Sequence, residues 1–244
     1  MKNKTISSPS NERVKRLVRL QKERQQKRQT VLVEGKKLLQ DLVQRHKPKE
    51  VFVTENHFET FAHLHPTIIT EQVAKKISDV VTPEGCFAEF EVPQSVFPTS
   101  ISHGLILDGV QDPGNVGTLL RTALGFNIRS IFLLEPACDP WNPKAVRAAK
   151  ASQFDLNILS TTWKDIPTDI PLLVADLSGT NIDTFSPPKQ WLLVLGNEAR
   201  GPRIPSSHPF QQVTIPMDGP VESLNVAQAG AILLYSLSSF ITSK

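Results

Sequence analysis

The second half of the chain is built from unbroken apolar runs separated by polar segments. The runs lie at 105–110, 130–135, 156–159, 171–177, 191–196 and 212–217. Runs of this kind are typical of strands buried on both faces, and such strands occur in parallel sheets that carry helices on either side. The pattern therefore predicts an α/β domain with a parallel sheet over residues 104–244.

The first half has shorter runs with a mixed pattern. Strands are predicted at 30–35, 50–55, 67–70 and 86–92, and helical segments at 36–46, 57–64 and 71–77. Ser8-Pro9 has the form of a helix start, because serine is a good N-cap and proline suits the first helical position. These elements predict a small α/β domain over residues 1–93.

Between the two halves lies a stretch that suits neither helix nor strand. Pro93, Pro98 and Gly104 interrupt regular structure there, and the residues between them are mostly small and polar. We therefore predict a linker at 94–103, which separates a first domain at 1–93 from a second at 104–244.

The last apolar pattern, at 223–241, has the period of a helix. Small residues occupy its first half, namely Ala227, Ala229, Gly230 and Ala231. A helix with so little side-chain bulk allows another backbone to approach closely. The sequence leaves open whether the neighbour belongs to the same chain or to a second copy.

Charge changes the picture of the first domain. The net charge of the chain is +3, but residues 1–50 hold fifteen of the 27 Lys and Arg and five of the 24 Asp and Glu, so they carry +10 and the remainder −7. Such segregation favours a polyanionic partner, with nucleic acid first. The candidate contacts are Arg13, Lys15, Arg16, Arg19 and Lys36. The alternative is a solvated basic helix that aids solubility.

Composition excludes several classes of protein. No apolar run is long enough to cross a bilayer and the amino terminus lacks the core of a secretory signal, so a cytoplasmic location without membrane attachment is expected. Cys86 and Cys138 have no spacing typical of a disulfide or zinc site, which predicts two buried, reduced thiols. His63 and His65 lack a third ligand at a suitable spacing, so no metal is expected.

Three predicted strands end in glycine-containing loops. "DGVQDPGNVG" follows the run at 105–107, "GNEARGP" follows 191–195, and "DGPVESLN" precedes the final helix. No loop has the glycine pattern of a dinucleotide-binding fold or of a P-loop, which disfavours NAD enzymes and nucleotide hydrolases. Ligands bind beyond the carboxyl ends of strands in open α/β sheets, so the three loops could converge on one pocket. Their polar candidates are Asn115, Arg121, Glu198, Ser223 and Asn225.

Three motifs carry a family resemblance. "NVGTLLRTA", "GNEARGP" and "IPMDGPVESLNVAQAGAILLY" resemble, in order and spacing, the three signature motifs of the SpoU branch of the SPOUT methyltransferases. These enzymes methylate ribose 2′-hydroxyls of RNA with S-adenosylmethionine. "VLVEGKKLL" and "TPEG" further resemble the small RNA-binding domain, akin to a ribosomal protein, that precedes the catalytic domain in many members.

The resemblance implies a fold, a cofactor site and an assembly. It implies a deep trefoil knot in the last third of the chain, with S-adenosylmethionine bound mainly by main-chain groups there, and a homodimer. Carried over by motif, the cofactor-binding residues are Leu195, Gly196, Ile215, Met217 and Leu224. Arg121 would act across the dimer interface.

The resemblance also implies chemistry. A guanidinium deprotonates reluctantly, so we expect Arg121 to orient the target nucleotide and stabilise the developing alkoxide rather than to act as the base. Asn115, Glu198, Ser223 and Asn225 would hold the arginine and the hydroxyl by hydrogen bonds. Ribosomal RNA is the favoured substrate. The alternatives are tRNA, or an RNA-binding assembly factor that has kept the fold without turnover.

Overall fold

A computed structural model describes residues 5–22 and 28–241 of the chain. Contacts between Cα atoms divide it into two compact units. The first contains Met1–Pro93 and Trp141–Phe154, and the second contains Gln94–Pro140 and Asp155–Lys244.

The first unit is a four-stranded mixed sheet with helices. Its strands are β1 (Thr30–Glu34), β2 (Glu50–Val53), β3 (Thr67–Ile68) and β4 (Cys86–Glu91), in the order β1-β4-β2-β3. The β1–β4 and β2–β4 pairs are antiparallel, whereas β2 and β3 are parallel. Four of its helices are α1 (Glu12–Lys22), α2 (Lys36–Leu42), α3 (Phe58–Phe61) and α4 (Glu71–Ile77). The predicted small α/β domain is confirmed in these elements.

The first helix begins later than its sequence predicts. Ser8 and Ser10 form a local turn, in which the Ser10 N–H donates to Ser8 Oγ at 3.2 Å. Asn11 Oδ1 then accepts from the Arg13 N–H at 2.9 Å, which is the bond of an N-cap side chain. Asn11, rather than Ser8, therefore starts the helix.

Residues 141–154 depart from the predicted domain division, which placed them in the second domain. They contain a short helix, α6 (Pro143–Ala149), which our sequence patterns did not predict. The Phe154 ring lies 5.1 Å from that of Trp141 and 5.4 Å from that of Phe90. Arg147 also pairs with Asp79 at 2.5 Å. Aromatic packing and this ion pair explain why the segment joins the first unit.

The second unit is a six-stranded sheet in which all adjacent strands are parallel. Its strands are β5 (His103–Asp108), β6 (Ser130–Leu134), β7 (Asn157–Thr161), β8 (Leu172–Asn181), β9 (Trp191–Gly196) and β10 (Phe210–Thr214), in the order β10-β8-β9-β5-β6-β7. Helix α5 (Pro113–Gly125) follows β5, and α7 (Val226–Ser238) ends the described chain. The parallel sheet predicted from the unbroken apolar runs is confirmed.

The predicted linker packs against the second unit instead of standing free. The Val96 N–H donates to Asn157 Oδ1 at 3.2 Å, and Asn157 Nδ2 donates back to the Val96 carbonyl at 2.8 Å. The Phe97 ring lies 5.7 Å from that of Phe132. These contacts hold the segment against β6 and β7.

The small residues of the last helix serve packing within the chain. A Cβ built at Gly230 would lie 2.3 Å from Leu119 Cδ2 and 2.6 Å from Leu195 Cδ1. Gly230 thus lets α7 sit directly on α5 and β9. At Gly230, the close neighbour of the helix therefore belongs to the same chain and not to a second copy.

The two cysteines differ in burial. Cys86 is fully buried, and burial raises the pKa of its thiol to about 12. Cys138 is only half-buried, so the prediction that both thiols are buried holds for Cys86 alone. Neither forms a disulfide.

Candidate active site

The predicted loops meet where β5 and β9 end side by side. Asp108 is the register partner of Gly196, so the loops that follow begin next to each other. Asn197 Nδ2 donates to the Gly109 carbonyl at 3.1 Å, and the Arg203 N–H donates to Asp108 Oδ2 at 2.6 Å. Two hydrogen bonds therefore fasten the loop after β9 to the end of β5.

Position 196 in this loop requires glycine, because the backbone of Pro202 passes very close to it. A Cβ at Gly196 would lie 2.2 Å from the backbone nitrogen of Pro202, which leaves no room for a side chain. Gly201 has a φ of +65°, and its N–H donates to the Asn197 carbonyl at 2.8 Å. The loop is a tight, internally bonded turn that exposes main-chain groups.

Three of the predicted catalytic residues form one row of hydrogen bonds. Asn115 Nδ2 donates to Glu198 Oε1 at 2.8 Å, and Asn225 Nδ2 donates to Asn115 Oδ1 at 3.1 Å. The row joins α5, the loop after β9 and the start of α7, although its members are up to 110 residues apart in sequence. Side chains from all three motifs are therefore brought together.

Helix caps fix two members of this row. Asp112 caps α5 by accepting from the Asn115 N–H at 3.0 Å. Asn225 caps α7, since its Oδ1 accepts from the Ala227 N–H at 2.9 Å. Each amide side chain is consequently held at the first turn of a helix, where its orientation is set by the backbone.

A cavity of about 290 Å³ lies beside this row. All five residues predicted to bind the cofactor line it, together with Glu198 and Ser223 of the predicted catalytic set. Residues from four chain segments form its wall: Ala175, Asp176, Leu177, Leu195, Gly196, Asn197, Glu198, Gly201, Pro202, Val213, Thr214, Ile215, Met217, Ser223, Leu224, Val226, Ala229 and Leu233.

The wall formed by β8 was missed in the sequence. Asp176 Oδ1 accepts from the Ser178 hydroxyl at 2.6 Å and from the Ser178 N–H at 2.9 Å. These bonds hold the pKa of Asp176 below its ordinary value, so the cavity wall carries a fixed negative charge at neutral pH. The signal in the sequence was the single charged residue within the apolar run at 171–177.

Arg121 does not join the row within one chain. It lies six residues after Asn115 on α5, which places it about 120° around the helix axis. Its side chain is exposed, makes no hydrogen bond or ion pair to the described residues, and does not line the cavity. Its predicted role therefore stays a prediction.

The structure gives two of the predicted RNA contacts another function. Arg13 pairs with Glu50 at 2.9 Å, and Arg16 pairs with both Glu50 and Glu89, at 2.9 and 2.7 Å. The side chain of Glu89 is only 2% exposed, so these pairs fasten α1 to the sheet of the first unit. Arg13 and Arg16 thus already have carboxylate partners, and their predicted contact with RNA stays a prediction.

The other three predicted contacts stay available on the first unit. Lys15 is exposed, and among the described residues its one ion pair is with the more exposed Glu12, at 2.7 Å. Arg19 is exposed, and Lys36 is half-exposed at the start of α2. RNA binding through Lys15, Arg19 and Lys36 is not tested by these positions and stays a prediction.

Two further features are absent from the described part of the chain. Residues 5–22 and 28–241 contain no group of three or more His, Cys, Asp or Glu side chains that could hold a metal ion. In the same ranges no helix combines the length and apolar character needed to cross a bilayer.

The whole chain resembles known RNA methyltransferases. The 23S rRNA (guanosine(2553)-2'-O)-methyltransferase RlmP of Bacillus subtilis is 28% identical over 96% of this chain and 99% of its own length. An AdoMet-bound rRNA methyltransferase from Sinorhizobium meliloti superimposes with a TM-score of 0.81 and 26% identity over 98% of this chain and 99% of that one. Mouse mitochondrial rRNA methyltransferase 3 is 29% identical over 70% of this chain, which spans 46% of that protein.

Family models match both units. Residues 11–88 match the MRM3-like substrate binding domain. Residues 102–235, which include the whole hydrogen-bonded row and the cavity, match the SpoU rRNA methylase family. Since the latter match covers more than half of the chain, the protein belongs to the SpoU rRNA methylase family.

Proposed function

We propose that this protein transfers a methyl group from S-adenosylmethionine to a ribose 2′-hydroxyl of ribosomal RNA. The observation that carries the proposal is the Asn115–Glu198–Asn225 row beside a cavity lined by all five expected cofactor positions. The relatives named above support rRNA over tRNA as the substrate, because their names specify rRNA.

The cavity fits the methyl donor in size and chemistry. Cavities of a few hundred Å³ with apolar walls and a few polar groups are typical of cofactor sites. Leu195, Ile215 and Leu224 supply an apolar wall for an adenine ring. Asp176 supplies an ionised carboxylate, which suits a ligand that carries positive charge. S-adenosylmethionine, when bound, supplies an electrophilic methyl group on a sulfonium.

The residues of the chain contribute position more than proton transfer. In-line methyl transfer requires the ribose oxygen to arrive opposite the sulfur, so fixed hydrogen-bonding groups lower the barrier by orienting it. The Asn115 amide is held by Glu198 on one side and Asn225 on the other, so its position costs no reorganisation when RNA binds. Ser223, which lines the cavity, adds a hydroxyl at the same edge.

A second copy of the chain would complete the site. Arg121 stands apart from the row in one chain, and the outer face of α7 exposes Ile232 and Tyr235. The Tyr235 ring lies 6.0 Å from that of Phe126, which extends this apolar face towards the end of α5. We infer a homodimer through α5 and α7 in which Arg121 of one copy reaches the target nucleotide at the other.

A trefoil knot in the second unit also belongs to the proposal. Its support is the family resemblance, since residues 102–235, which contain the whole six-stranded sheet, match the SpoU rRNA methylase family.

Methyl transfer from labelled S-adenosylmethionine to rRNA tests the proposal. The RNA is taken from cells that lack the gene, and methylated positions are mapped against RNA from cells that have it. We expect one or few new 2′-O-methylated riboses in rRNA. Binding of rRNA and S-adenosylmethionine without transfer would instead identify an assembly factor, and methylation confined to tRNA would replace the substrate.

Arg121→Ala tests the proposed role of the arginine. We expect turnover to fall by about 10³-fold, because a group that orients the nucleotide and stabilises the alkoxide is lost. The affinity for S-adenosylmethionine, measured by calorimetry, should be unchanged since Arg121 does not line the cavity. An unchanged methylation rate would remove Arg121 from the mechanism.

A further inference from the structure

The loop after β9 presents an arginine that no motif-based argument assigned. The side chain of Arg200 is exposed, and its Nη2 atom lies 3.5 Å from the position that a Cβ on Gly109 would occupy. The guanidinium therefore lies over the turn that follows β5. Asn115 lies in the first turn of the helix that follows this turn, so Arg200 flanks the hydrogen-bonded row within the same chain.

The backbone that carries Arg200 is fixed before any ligand binds. Asn197 Oδ1 accepts from the Ala199 N–H at 3.0 Å, and the Asn197 carbonyl accepts from the N–H groups of Arg200 and Gly201 at 3.3 and 2.8 Å. Asn197 also bonds to Gly109 across the gap between β9 and β5. Little backbone entropy is left to lose here when the arginine engages a partner.

Nearby carboxylates do not neutralise Arg200. Within the described residues its side chain has no hydrogen bond and no ion pair, in contrast to Arg13 and Arg16 of the first unit. Glu198 accepts from Asn115, and Asp108 accepts from the Arg203 N–H. A guanidinium with its donors unused stands at the edge of the reaction site.

The position of Arg200 relative to the cavity indicates which anion its guanidinium would bind. Asn197, Glu198 and Gly201 line the cavity, whereas Arg200 between them does not. Its guanidinium therefore lies over Gly109, outside the lining of the cavity. The remaining anion that must come to this edge is the RNA backbone, whose phosphates adjoin every ribose 2′-hydroxyl.

We propose that Arg200 binds a backbone phosphate next to the target nucleotide and thereby positions the ribose for methylation. A guanidinium suits this role because its planar donors match two phosphate oxygens at once. The inference rests on the proposed function for its substrate class. It adds a positioning residue supplied by the same chain that provides Asn115 and Glu198.

Three variants test the assignment. Arg200→Ala removes the guanidinium, Arg200→Lys keeps the charge without the planar donors, and Lys189→Ala removes an exposed cation before the start of β9, at the opposite edge of the sheet. Each is assayed with rRNA from cells that lack the gene and with S-adenosylmethionine. The measured quantities are KM and kcat with that rRNA, its binding at several salt concentrations, and the affinity for S-adenosylmethionine alone.

We expect Arg200→Ala to raise KM for the rRNA about tenfold. The slope of log affinity against log salt should fall by about 1, which corresponds to one lost phosphate contact. Affinity for S-adenosylmethionine should stay at the wild-type value, whereas kcat at saturating rRNA should fall about tenfold, because the ribose is less well oriented. Arg200→Lys should lie between wild type and Arg200→Ala, and Lys189→Ala should match wild type.

Several results would overturn the assignment. An unchanged KM and salt slope in Arg200→Ala would show that the arginine contacts no phosphate. Weaker binding of S-adenosylmethionine would point to the carboxylate of the donor instead, and an equal effect of Lys189→Ala would reduce the role to general charge. Failure of wild-type protein to transfer methyl groups would defeat the proposed function, while the RNA-binding measurements would still judge Arg200.

Discussion

At the scale of single residues, Asn115 connects the three motifs. It is the only described residue whose side chain bonds to both Glu198 and Asn225, and its own backbone is tied to the cap of α5. Its amide leaves no freedom for reorientation, because the oxygen and the nitrogen have different partners. Hydrogen bonds of both its backbone and its side chain therefore fix the position of Asn115.

Asn115→Ala should lower kcat by about 10²–10³-fold, which is the size of effect found when one preorganised hydrogen-bonding group is lost. The affinity for S-adenosylmethionine should change little, because Asn115 does not line the cavity. Steady-state kinetics and calorimetry measure the two effects separately. Asn56→Ala, which changes an exposed asparagine of the first unit, is the matched control. Equal kcat in both variants would contradict the role of the row.

The sequence predicted some residues of the site and not others. All five cofactor positions line the cavity because the motifs prescribe both residue type and spacing. Asp176 was not predicted because it belongs to none of the three motifs. Its place in the site depends on a hydrogen bond from Ser178, which fixes its carboxylate. The ion pairs of Arg13 and Arg16 could not be predicted, because a sequence cannot indicate that Glu50 and Glu89 lie opposite them.

At the scale of elements, strands made of apolar runs could be predicted from the sequence, whereas strand segments made of polar residues could not. The bounds 191–196 of β9 match the prediction because all of its residues before Gly196 are buried. In contrast, β8 continues to Asn181 through polar residues that pair with Val213 and Thr214 of β10. Pairing of this kind is backbone hydrogen bonding without an apolar signal, so the sequence did not reveal it.

The contact of α7 with α5 is the element-scale feature most open to a test. Gly230→Ala gains about 1 kcal/mol of helix propensity, but its methyl group meets two buried leucines, at a cost of about 1–3 kcal/mol. We expect a net loss of about 1 kcal/mol in the free energy of unfolding of the second unit, measured by chemical denaturation. Binding of S-adenosylmethionine should also weaken, because Leu195 lines the cavity.

Gly125→Ala provides the control for this substitution. Gly125 is the last residue of α5, and a Cβ there would meet nothing within 4 Å. This variant should be as stable as wild type or slightly more stable. Equal stability of the two variants would mean that Leu119 and Leu195 move aside without cost.

At the scale of the whole molecule, the basic charge of the first 50 residues has two uses. Part of it is paired within the first unit, where Arg13 and Arg16 form ion pairs with Glu50 and Glu89. Among the other described cations of this segment, Lys15 and Arg19 are exposed and are candidates for contact with RNA. Net charge alone therefore does not distinguish cations that are paired within the first unit from cations that are exposed.

The buried pair should make the first unit sensitive to acid. Burial opposes ionisation of Glu89, but hydrogen bonds from Arg16 and Thr30 outweigh it and hold the pKa below its ordinary value of 4.5. Because the folded pKa is the lower one, this stabilisation is fully present above 4.5 and is lost as the pH falls through the folded pKa. Hydrogen exchange should show the first unit losing protection in that range.

Glu89→Gln should remove about 2 kcal/mol of this stability at neutral pH, a value reduced from that of a fully buried pair because Arg16 is partly exposed. Below pH 4.5 the variant should lose less further stability than wild type. Glu12→Gln, which breaks an exposed pair with Lys15, should behave as wild type throughout. Parallel acid profiles for Glu89→Gln and wild type would contradict the assignment.

The return of residues 141–154 to the first unit has a consequence for dissecting the protein. The polypeptide passes from one unit to the other three times, near residues 93, 140 and 154. Cutting at the first passage yields a carboxyl-terminal fragment that still carries Trp141 and Phe154, deprived of Phe90. Substrate recognition and methyl transfer are therefore not separable by a single proteolytic cleavage, and a viable catalytic fragment would need residues 141–154 replaced by a short polar bridge.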